Sequence, residues 1–282
     1  MKSKVILGLC LFLLTLGCTK KEESILFSSD REGSSDLYLM NSEGEILDRL
    51  TDDLSEEWSA VWIDDNHISF LSDRNGTPEV FKMDITTKRV VQIDQPNHCV
   101  LDDKNYVYSP IGDRLYSCGG DIFLLKKDGS EAKNLTQELD GQANYMGWVN
   151  EQEVSFTSNH EGNNEIYWLH LSSGELKNIS NNPANDERAD FSDDGKKVIF
   201  SSDRFERGNQ DIVLLDLPSG KFRRITTSAE TELIARWSSS DKLFYFGGNS
   251  SGNWDIYSYF LPDNTSTQLT KQPGFDGDPR IY

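Results

Sequence analysis

The sequence predicts an all-β protein, a six-bladed β-propeller with four-stranded blades, and three recurring features support that prediction. The first is an aromatic or apolar position near the end of a short apolar segment, which recurs at intervals of 40 to 46 residues. Its members are Trp62, Tyr108, Trp148, Phe191, Trp237 and Ile281. In-phase units of about 43 residues, each with room for four short strands, are typical of propeller blades.

The second and third features mark later strands of the same unit. An acidic residue followed by two apolar residues recurs at Asp36, Glu79, Asp121, Glu165, Asp211 and Asp255. A short segment that ends near Thr or Ser recurs at Thr51, Thr136, Ser180, Thr226 and Thr270. The clearest copy, residues 186–217, alternates apolar runs with turn residues, which indicates strands joined by turns and a loop. Because the markers keep one phase, we expect the recurring acidic residues to have a structural role.

The phase of the repeat at its two ends predicts how the ring closes. The chain enters the repeat at Ser24, in the second strand of a blade, and leaves it at residues 278–282, in a first strand. We therefore expect residues 24–282 to form the propeller, with the C-terminal strand completing the blade begun by the three N-terminal strands. Such pairing covers sheet edges that would otherwise be exposed.

The N-terminal segment is typical of an export signal. Lys2 and Lys4 precede an apolar run of 13 residues, which is short for a bilayer span and suits the core of a signal peptide. The run ends at Leu-Thr-Leu-Gly-Cys, which resembles the lipobox of bacterial lipoproteins. That resemblance implies a signal peptide over residues 1–17, lipidation of Cys18 and a tether over residues 18–23. An ordinary secretory signal with an incidental Cys18 is the alternative.

The same resemblance implies a location. Thr19 follows the cysteine, and a residue other than Asp at that place implies sorting to the outer membrane. We expect an outer-membrane lipoprotein of the bacterial envelope that faces the periplasm, with the cell surface as a second possibility. Acyl chains contribute about 0.8 kcal/mol per buried methylene, so several chains would anchor the protein firmly in the membrane.

Charge and composition limit the class of partner. The formal net charge is −19, which repels phosphate backbones, so we expect no nucleic-acid partner. A basic peptide or a cation would be attracted, although the charge alternatively serves only solubility. Hydrophobic residues make up 36% and aromatic residues 11% of the chain, which favours a folded, turn-rich β protein over a disordered one.

Two stretches carry a resemblance to a known family. Residues 60–76 read AVWIDDNHISFLSDRNG, and residues 189–208 read ADFSDDGKKVIFSSDRFERG. Both are similar to the repeat of TolB-type propellers, and related segments extend over residues 24–282. The resemblance implies a six-bladed propeller. TolB carries an α/β domain before its propeller and is not lipidated, so we expect a TolB-like propeller lipoprotein that lacks the TolB N-terminal domain.

Four acidic residues are candidates for a binding face. Propeller topology places the Ser-Asp-Arg loops and the starts of the innermost strands on one face of the ring. The acidic residues at those starts are Glu57, Asp186, Glu232 and Asp276. As free carboxylates around the channel mouth, they would bind a cation or a basic peptide. Alternatively, each one pairs with the arginine of a nearby loop or caps a turn, which recurrence from blade to blade favours.

Departures from the repeat are the sharper functional candidates. The third unit lacks a Ser-Asp-Arg loop, and its topology brings Cys99 and Cys118 to one face, so a disulfide is possible in an exported protein. Two free thiols are the alternative. Aromatic residues also occur in loops of this face, at Trp58, Tyr145, Phe205, Trp254 and Phe275. They suit protein binding or sugar stacking, unless they pack against neighbouring loops.

No residue pattern predicts catalysis. Residues 248–252 match the Gly-x-Ser-x-Gly string of a nucleophile elbow, but this string lies between two predicted strands with no helix after it. The four histidines are scattered over different units and match no metal-ligand spacing. We therefore expect neither enzymatic activity, nor a metal, nor a cofactor.

Two functions remain. The first is a non-catalytic protein-interaction scaffold, a monomer anchored in the membrane that binds an envelope protein. The second is a module that binds a glycan, a small ligand or a cation at the channel mouth. The family resemblance favours the first.

Overall fold

Six four-stranded antiparallel sheets make up the computed structural model, which describes residues 23–96, 105–130 and 132–282. Throughout these ranges the regular secondary structure is β-strand, so the predicted all-β propeller is confirmed. No helix in the described ranges is long and apolar enough to cross a membrane. The predicted signal peptide, the lipidation site Cys18 and the predicted disulfide partner Cys99 lie outside the described residues.

Each blade contributes one strand to each of four layers around a central channel. The innermost strands are β4 (Glu57–Asp64), β8 (Val107–Tyr108), β12 (Ala143–Asn150), β16 (Asp186–Phe191), β20 (Glu232–Trp237) and β24 (Asp276–Ile281). The second strands are β1 (Ile25–Ser29), β5 (His67–Ser72), β9 (Arg114–Cys118), β13 (Glu153–Ser158), β17 (Lys197–Glu206) and β21 (Leu243–Gly248).

The two outer layers follow in the same order. The third strands are β2 (Asp36–Met40), β6 (Glu79–Asp84), β10 (Asp121–Leu125), β14 (Glu165–His170), β18 (Asn209–Asp216) and β22 (Asp255–Phe260). The outermost strands are β3 (Ile46–Arg49), β7 (Arg89–Gln92), β11 (Lys133–Asn134), β15 (Leu176–Asn178), β19 (Lys221–Arg224) and β23 (Thr265–Gln268). We number the blades so that blade 1 contains β24 and β1 to β3, and blades 2 to 6 follow along the chain.

The ring closes in blade 1 as the sequence predicts. Strand β24 pairs antiparallel with β1, and Ile281 lies opposite Ile25 while Asp276 lies opposite Ser29. The backbone N–H of Tyr282 also donates to the carbonyl of Ser24 at 3.2 Å. Strands β24 and β1, at the two ends of the propeller, thus cover each other's edges, which would otherwise be unpaired.

Apolar clusters between neighbouring blades form the core. Between blades 1 and 2, for example, Leu26 and Leu39 pack with Ile68 and Phe70. Six such clusters occur among the described residues, and each joins side chains of two adjacent blades. Each fully buried side chain of this kind contributes roughly 1.5–3 kcal/mol. The blades therefore stabilise one another, and the channel between them has a fixed wall.

Blades 3 and 5 depart from the common plan. In blade 5 the segment 203–211, which the sequence indicated as a loop, is a hairpin, because β17 continues to Glu206 and β18 begins at Asn209. In blade 3 the first and last strands have only two residues each. The turn after Cys118 uses Gly119 and Gly120 with φ of 61° and 89°, which allows a two-residue hairpin.

The two faces of the ring differ. We call the face with the Ser-Asp-Arg loops the upper face and the opposite one the lower face. Glu23, the first described residue, lies at the lower face, where its carboxylate accepts hydrogen bonds from the Ser239 N–H at 2.6 Å and the Tyr245 hydroxyl at 2.7 Å. The described part of the chain therefore begins at the face opposite the upper loops.

Candidate functional site at the channel mouth

The four acidic side chains predicted at the channel mouth are buried at the starts of innermost strands, with exposed fractions of at most 3%. Three of them accept a hydrogen bond from the arginine of a Ser-Asp-Arg loop in the same blade. The distances are 3.0 Å for Arg74–Glu57, 2.8 Å for Arg204–Asp186 and 2.8 Å for Arg31–Asp276. The structure thus places these carboxylates in ion pairs, and they do not form a ring of free carboxylates at the mouth.

The remaining parts of the Ser-Asp-Arg motif complete what we call the arginine clamp. In blade 1 the clamp consists of Asp276, Arg31, Ser29, Phe27 and Tyr38. The Ser29 hydroxyl accepts from Arg31 Nε at 2.8 Å, and the guanidinium lies 5.4 Å and 4.7 Å from the ring centroids of Phe27 and Tyr38. Equivalent clamps surround Arg74 and Arg204. Cation–π contacts of this kind contribute about 0.5–2 kcal/mol each.

The Asp of the motif fixes the loop that joins two blades. Asp30 Oδ1 accepts from the backbone N–H of Phe275 at 2.6 Å, and Asp203 Oδ1 accepts from that of Asn185 at 2.7 Å. Asp73, Asn159 and Asn249 accept from equivalent loop N–H groups at 2.7–2.9 Å. Because the same contact recurs in five blades, the motif is architectural.

Burial affects the acidity of the innermost carboxyls. Desolvation raises the pKa of Glu57, Asp186 and Glu232, because a buried site disfavours the ionised form. Glu232 is the exception to the clamp, since it accepts its hydrogen bond from the Ser228 hydroxyl instead of an arginine. The acidic residues of the third strands are similarly engaged, and Asp36, for example, pairs with an arginine and a threonine of the outer strand segment.

The upper mouth of the channel opens into a cavity of about 230 Å³. Its walls include the third residue of five innermost strands, namely Ser59, Tyr145, Arg188, Ile234 and Asp278. All five have positive φ, between 48° and 61°, and a β-bulge interrupts the strand pairing beside each of them. A bulge re-aims side chains, and here it turns five of them into the channel.

This backbone conformation carries a cost. A residue other than glycine in the left-handed region costs about 1–3 kcal/mol, and the β-branched Ile234 is the most unusual of the five. The bulge therefore persists only because the surrounding blades hold it. Because the same bulge recurs in five blades, it belongs to the architecture, and the cavity is a candidate site because of the side chains that the bulges turn into it.

Three of the five predicted aromatic residues line this cavity. Trp58 and Phe275 form part of its wall together with Tyr145, and Phe275 keeps 38% of its surface exposed. The ring of Phe275 lies against Gly277, where a Cβ atom would come within 2.4 Å of the ring carbon Cζ. Glycine at this place therefore allows the ring to cover the innermost strand beside the mouth.

The other two predicted aromatic residues lie elsewhere. Phe205 is 45% exposed on the β17–β18 hairpin, with the guanidinium of Arg224 4.6 Å from its ring centroid. The Trp254 ring packs on the backbone of Gly247, where an added Cβ would lie 3.7 Å from its Cε3 atom. Neither residue is part of the mouth cavity.

A second cavity of about 250 Å³ lies deeper in the channel, lined by residues further along the innermost strands such as Trp148, Asp190 and Trp237. Arg236 and Arg280 line both cavities, so the boundary between the two is basic. Arg188 lies at the mouth side, where its Nη2 donates to the Tyr145 hydroxyl at 2.6 Å and its guanidinium stacks 4.0 Å from the same ring.

Burial has opposite effects on the two deepest charged groups. It lowers the pKa of Arg236 to about 10, with a smaller contribution from nearby Arg280, and the guanidinium remains protonated at neutral pH. It raises the pKa of Asp190, whose Oδ2 atom accepts from the backbone N–H of Trp237 at 2.7 Å.

The described residues contain no group of three or more His, Cys, Asp or Glu side chains positioned to hold a metal ion. Two of their histidines make loop contacts: His67 contacts Asp64 within one turn at 2.7 Å, and His160 Nδ1 accepts from the Asp140 N–H of a different loop at 3.1 Å. The Gly-x-Ser-x-Gly string lies in the turn between β21 and β22, where Ser250 donates to the Tyr257 hydroxyl at 3.1 Å. This turn lacks the helix that a nucleophile elbow requires.

Cys118 ends strand β9 and takes part in a disulfide. Its predicted partner, Cys99, lies outside the described residues, so the pairing of these two cysteines stays a prediction.

Sequence reasoning missed the arginines of the channel. Arg188 follows the first residue of its strand by two positions, and Arg236 and Arg280 follow theirs by four. Side chains alternate between the faces of a regular strand, but the bulge at the third residue of each of these strands breaks that alternation. Counting from the acidic residue therefore does not assign these arginines to the channel, because the bulge is not visible in the sequence.

Comparison with known proteins agrees with this architecture. Residues 122–281 match the family model described as the TolB beta propeller domain. A protein TolB homolog from Chlorobium luteolum is 26% identical over 162 residues, which is 56% of this chain and 36% of that relative. The chain thus covers only about a third of the relative's length.

Two solved structures share the fold. The crystal structure of TolB from Acinetobacter baumannii has a TM-score of 0.75 at 18% identity, with 92% of this chain and 66% of that chain covered. A putative TolB from Agrobacterium tumefaciens has a TM-score of 0.67 at 15% identity, with 90% and 89% covered. Identities this low show the likeness of the fold alone.

Proposed function

This chain belongs to the TolB β-propeller domain family, and we propose that it acts as a non-catalytic protein-interaction scaffold of the bacterial envelope. The observation that carries the proposal is the upper channel mouth. There Trp58, Tyr145, Ile234 and Phe275 surround a cavity whose floor is polar. Aromatic and aliphatic side chains that converge on a pocket supply most of the binding energy of protein interfaces. A segment of a partner protein would insert an apolar side chain here.

The position of Glu23, the first described residue, supports an orientation of the propeller at the membrane. Because Glu23 lies at the lower face, a lipid on Cys18 would hold that face towards the membrane and leave the mouth open to the opposite side. We propose accordingly that the chain is an outer-membrane lipoprotein that faces the periplasm. In a Cys18→Ala variant the protein is expected to leave the membrane fraction, and retention there would contradict lipid anchoring.

Crosslinking in intact envelopes, followed by affinity purification, tests the proposal. A Trp58→Ala/Phe275→Ala double variant is expected to lose at least about ten-fold in recovered partner, since truncating an interface anchor costs about 2 kcal/mol or more. Phe260→Ala is a matched control, because Phe260 has the same exposed fraction of 38% as Phe275 but lies at the end of β22 away from the mouth. Equal recovery from all three proteins would exclude the mouth as the interface.

A glycan or small ligand is the second candidate, because aromatic rings at the mouth also suit sugar stacking. Thermal stabilisation by oligosaccharides, together with no crosslinked protein, would favour it over the scaffold. Stabilisation by calcium alone would favour a cation site instead. A crosslinked partner that depends on Trp58 would decide for the scaffold.

A further inference from the structure

Arg236 is an unusual charge deep in the channel. Its Nη1 atom donates to the backbone carbonyls of Ala235 at 2.8 Å and Arg188 at 3.3 Å. Among the described residues, no carboxylate lies within ion-pair distance of this guanidinium, although Asp190 and Asp278 favour its charged form from further away. A buried charge without a direct ion-pair partner is costly, so this side chain is poised to receive an anion from the cavities that it lines.

Arg280 supplies a second set of donors at the same boundary. Its Nη2 atom lies 3.2 Å from a carboxylate oxygen of Asp278, while its buried Nε–H has no acceptor among the described residues. The two guanidiniums repel each other, and this repulsion contributes to the lowered pKa of Arg236. An anion between them would relieve the repulsion and satisfy donors of both side chains.

The charges at the boundary favour a ligand with one negative charge. Arg236 and Arg280 carry two positive charges, and Asp278 balances one of them through its ion pair. Asp190 carries a further negative charge, but it lines only the deeper cavity, and Arg188 at the mouth is paired with Glu187. At the mouth cavity about one positive charge is therefore left for a ligand, which suits a carboxylate better than a doubly charged phosphate.

The cavities determine what the anion carries. The mouth cavity is lined by Trp58, Tyr145 and Phe275 on the side of the solvent and reaches the two arginines at its inner end. The volumes of about 230 Å³ and 250 Å³ together fall within the range of about 300–1,000 Å³ that small-molecule sites occupy. We propose that Arg236 and Arg280 bind a carboxylate whose apolar or aromatic group fills the mouth cavity. The inference extends the proposed function, because it names the chemistry that the mouth recognises.

Phenylacetate and phenylacetamide provide a matched pair of probes, since they share shape and aromatic ring and differ in charge. Tryptophan fluorescence of the whole propeller reports binding, because Trp58, Trp148 and Trp237 line the cavities. We expect phenylacetate to bind at least about ten-fold more tightly, as charge-assisted hydrogen bonds imply. Equal affinities, or no binding of either probe at millimolar concentration, would overturn the inference.

Variants locate the site. Arg280→Gln is expected to abolish the preference for phenylacetate, and it keeps the inference testable if Arg236→Gln does not fold. Asp190→Asn is expected to tighten phenylacetate binding, because it removes a competing carboxylate from the deeper cavity. Arg223→Gln, on outermost strand β19, is the control and should leave both affinities unchanged. An unchanged preference in Arg280→Gln would contradict the assignment.

Peptides distinguish the source of the carboxylate. N-acetyl-Gly-Gly-Phe with a free C-terminus is compared with its C-terminal amide. If the peptide acid is preferred over its amide more strongly than phenylacetate is preferred over phenylacetamide, the ligand is a peptide C-terminus. If only phenylacetate is preferred over its amide, the ligand is a free small carboxylate. Loss of any carboxylate preference together with continued dependence of partner capture on Trp58 would overturn this inference and leave the protein-scaffold proposal standing.

Discussion

The arginine clamp of blade 1 predicts a large effect from one substitution, Arg31→Leu. The change leaves Asp276, which is 1% exposed, without its ion-pair partner. Removing one member of a buried pair costs about 3–5 kcal/mol, because the other charge remains buried. The Arg31 side chain is 14% exposed, so water screens part of this effect and we expect the lower end, about 3 kcal/mol.

Urea unfolding measures this loss as a lower midpoint at an unchanged slope. At about 2–4 °C per kcal/mol for a chain of this size, the melting temperature should fall by about 6–12 °C. Arg74→Leu, in the equivalent clamp of blade 2, should have a similar effect, since Glu57 is as deeply buried as Asp276. Lys196→Leu breaks an exposed ion pair with Asp194 and should cost less than about 1 kcal/mol.

The second half of the test removes the orphaned charge. In the double variant Arg31→Leu/Asp276→Asn the buried carboxylate is gone, so part of the loss should be recovered. A cost below about 1 kcal/mol for Arg31→Leu would refute the reasoning. Additivity would refute the reasoning as well. If Asp276→Asn lowers the stability of the Arg31→Leu variant by as much as it lowers that of the parent, the two residues are not coupled.

Three further predictions concern the channel and blade 3. Burial raises the pKa of Asp190, so the protonated side chain favours the folded state. This contribution to folding stability is fully present below the model-compound pKa of 3.8 and is lost as pH rises through the folded-state pKa. The stability of Asp190→Asn relative to the parent should therefore increase between pH 4 and pH 7, and a pH-independent difference in urea midpoints would contradict this. Gly277→Ala should displace the Phe275 ring and lower partner capture at least about three-fold with little change in melting temperature, whereas unchanged capture would show that the ring is dispensable. If Cys99 pairs with Cys118, closing a loop of roughly 20 residues, reduction should cost about 3 kcal/mol, and two free thiols in the mass of the mature protein would exclude the pairing.

The sequence predicts the fold well because architecture repeats. The aromatic positions from Trp62 to Ile281 all lie on innermost strands, and the acidic residues from Asp36 to Asp255 lie at or near the starts of third strands. The phase of the repeat also predicts closure of blade 1 by β24. These features depend on local patterns that each blade must satisfy in the same way.

The candidate site is less predictable from the sequence, for two physical reasons. The recurring Glu57 and Asp186 attract attention as charges, yet only the packed structure shows that arginines neutralise them. Arg188, Arg236 and Arg280, by contrast, come from three different blades and are far apart in the sequence. Their convergence depends on how the blades are arranged around the axis, and on bulges that leave no pattern in the residue types.

The central position of β1 in its sheet has a mechanical consequence. This strand follows directly after the N-terminal segment and is hydrogen-bonded along both sides, to β24 and to β2. Tension applied to the segment before Glu23 would pull β1 along its own axis and load both ladders in shear, so that many hydrogen bonds would have to break together. An edge strand would instead peel away one bond at a time. An attachment under tension at this end would therefore transmit force into the ring through two ladders at once.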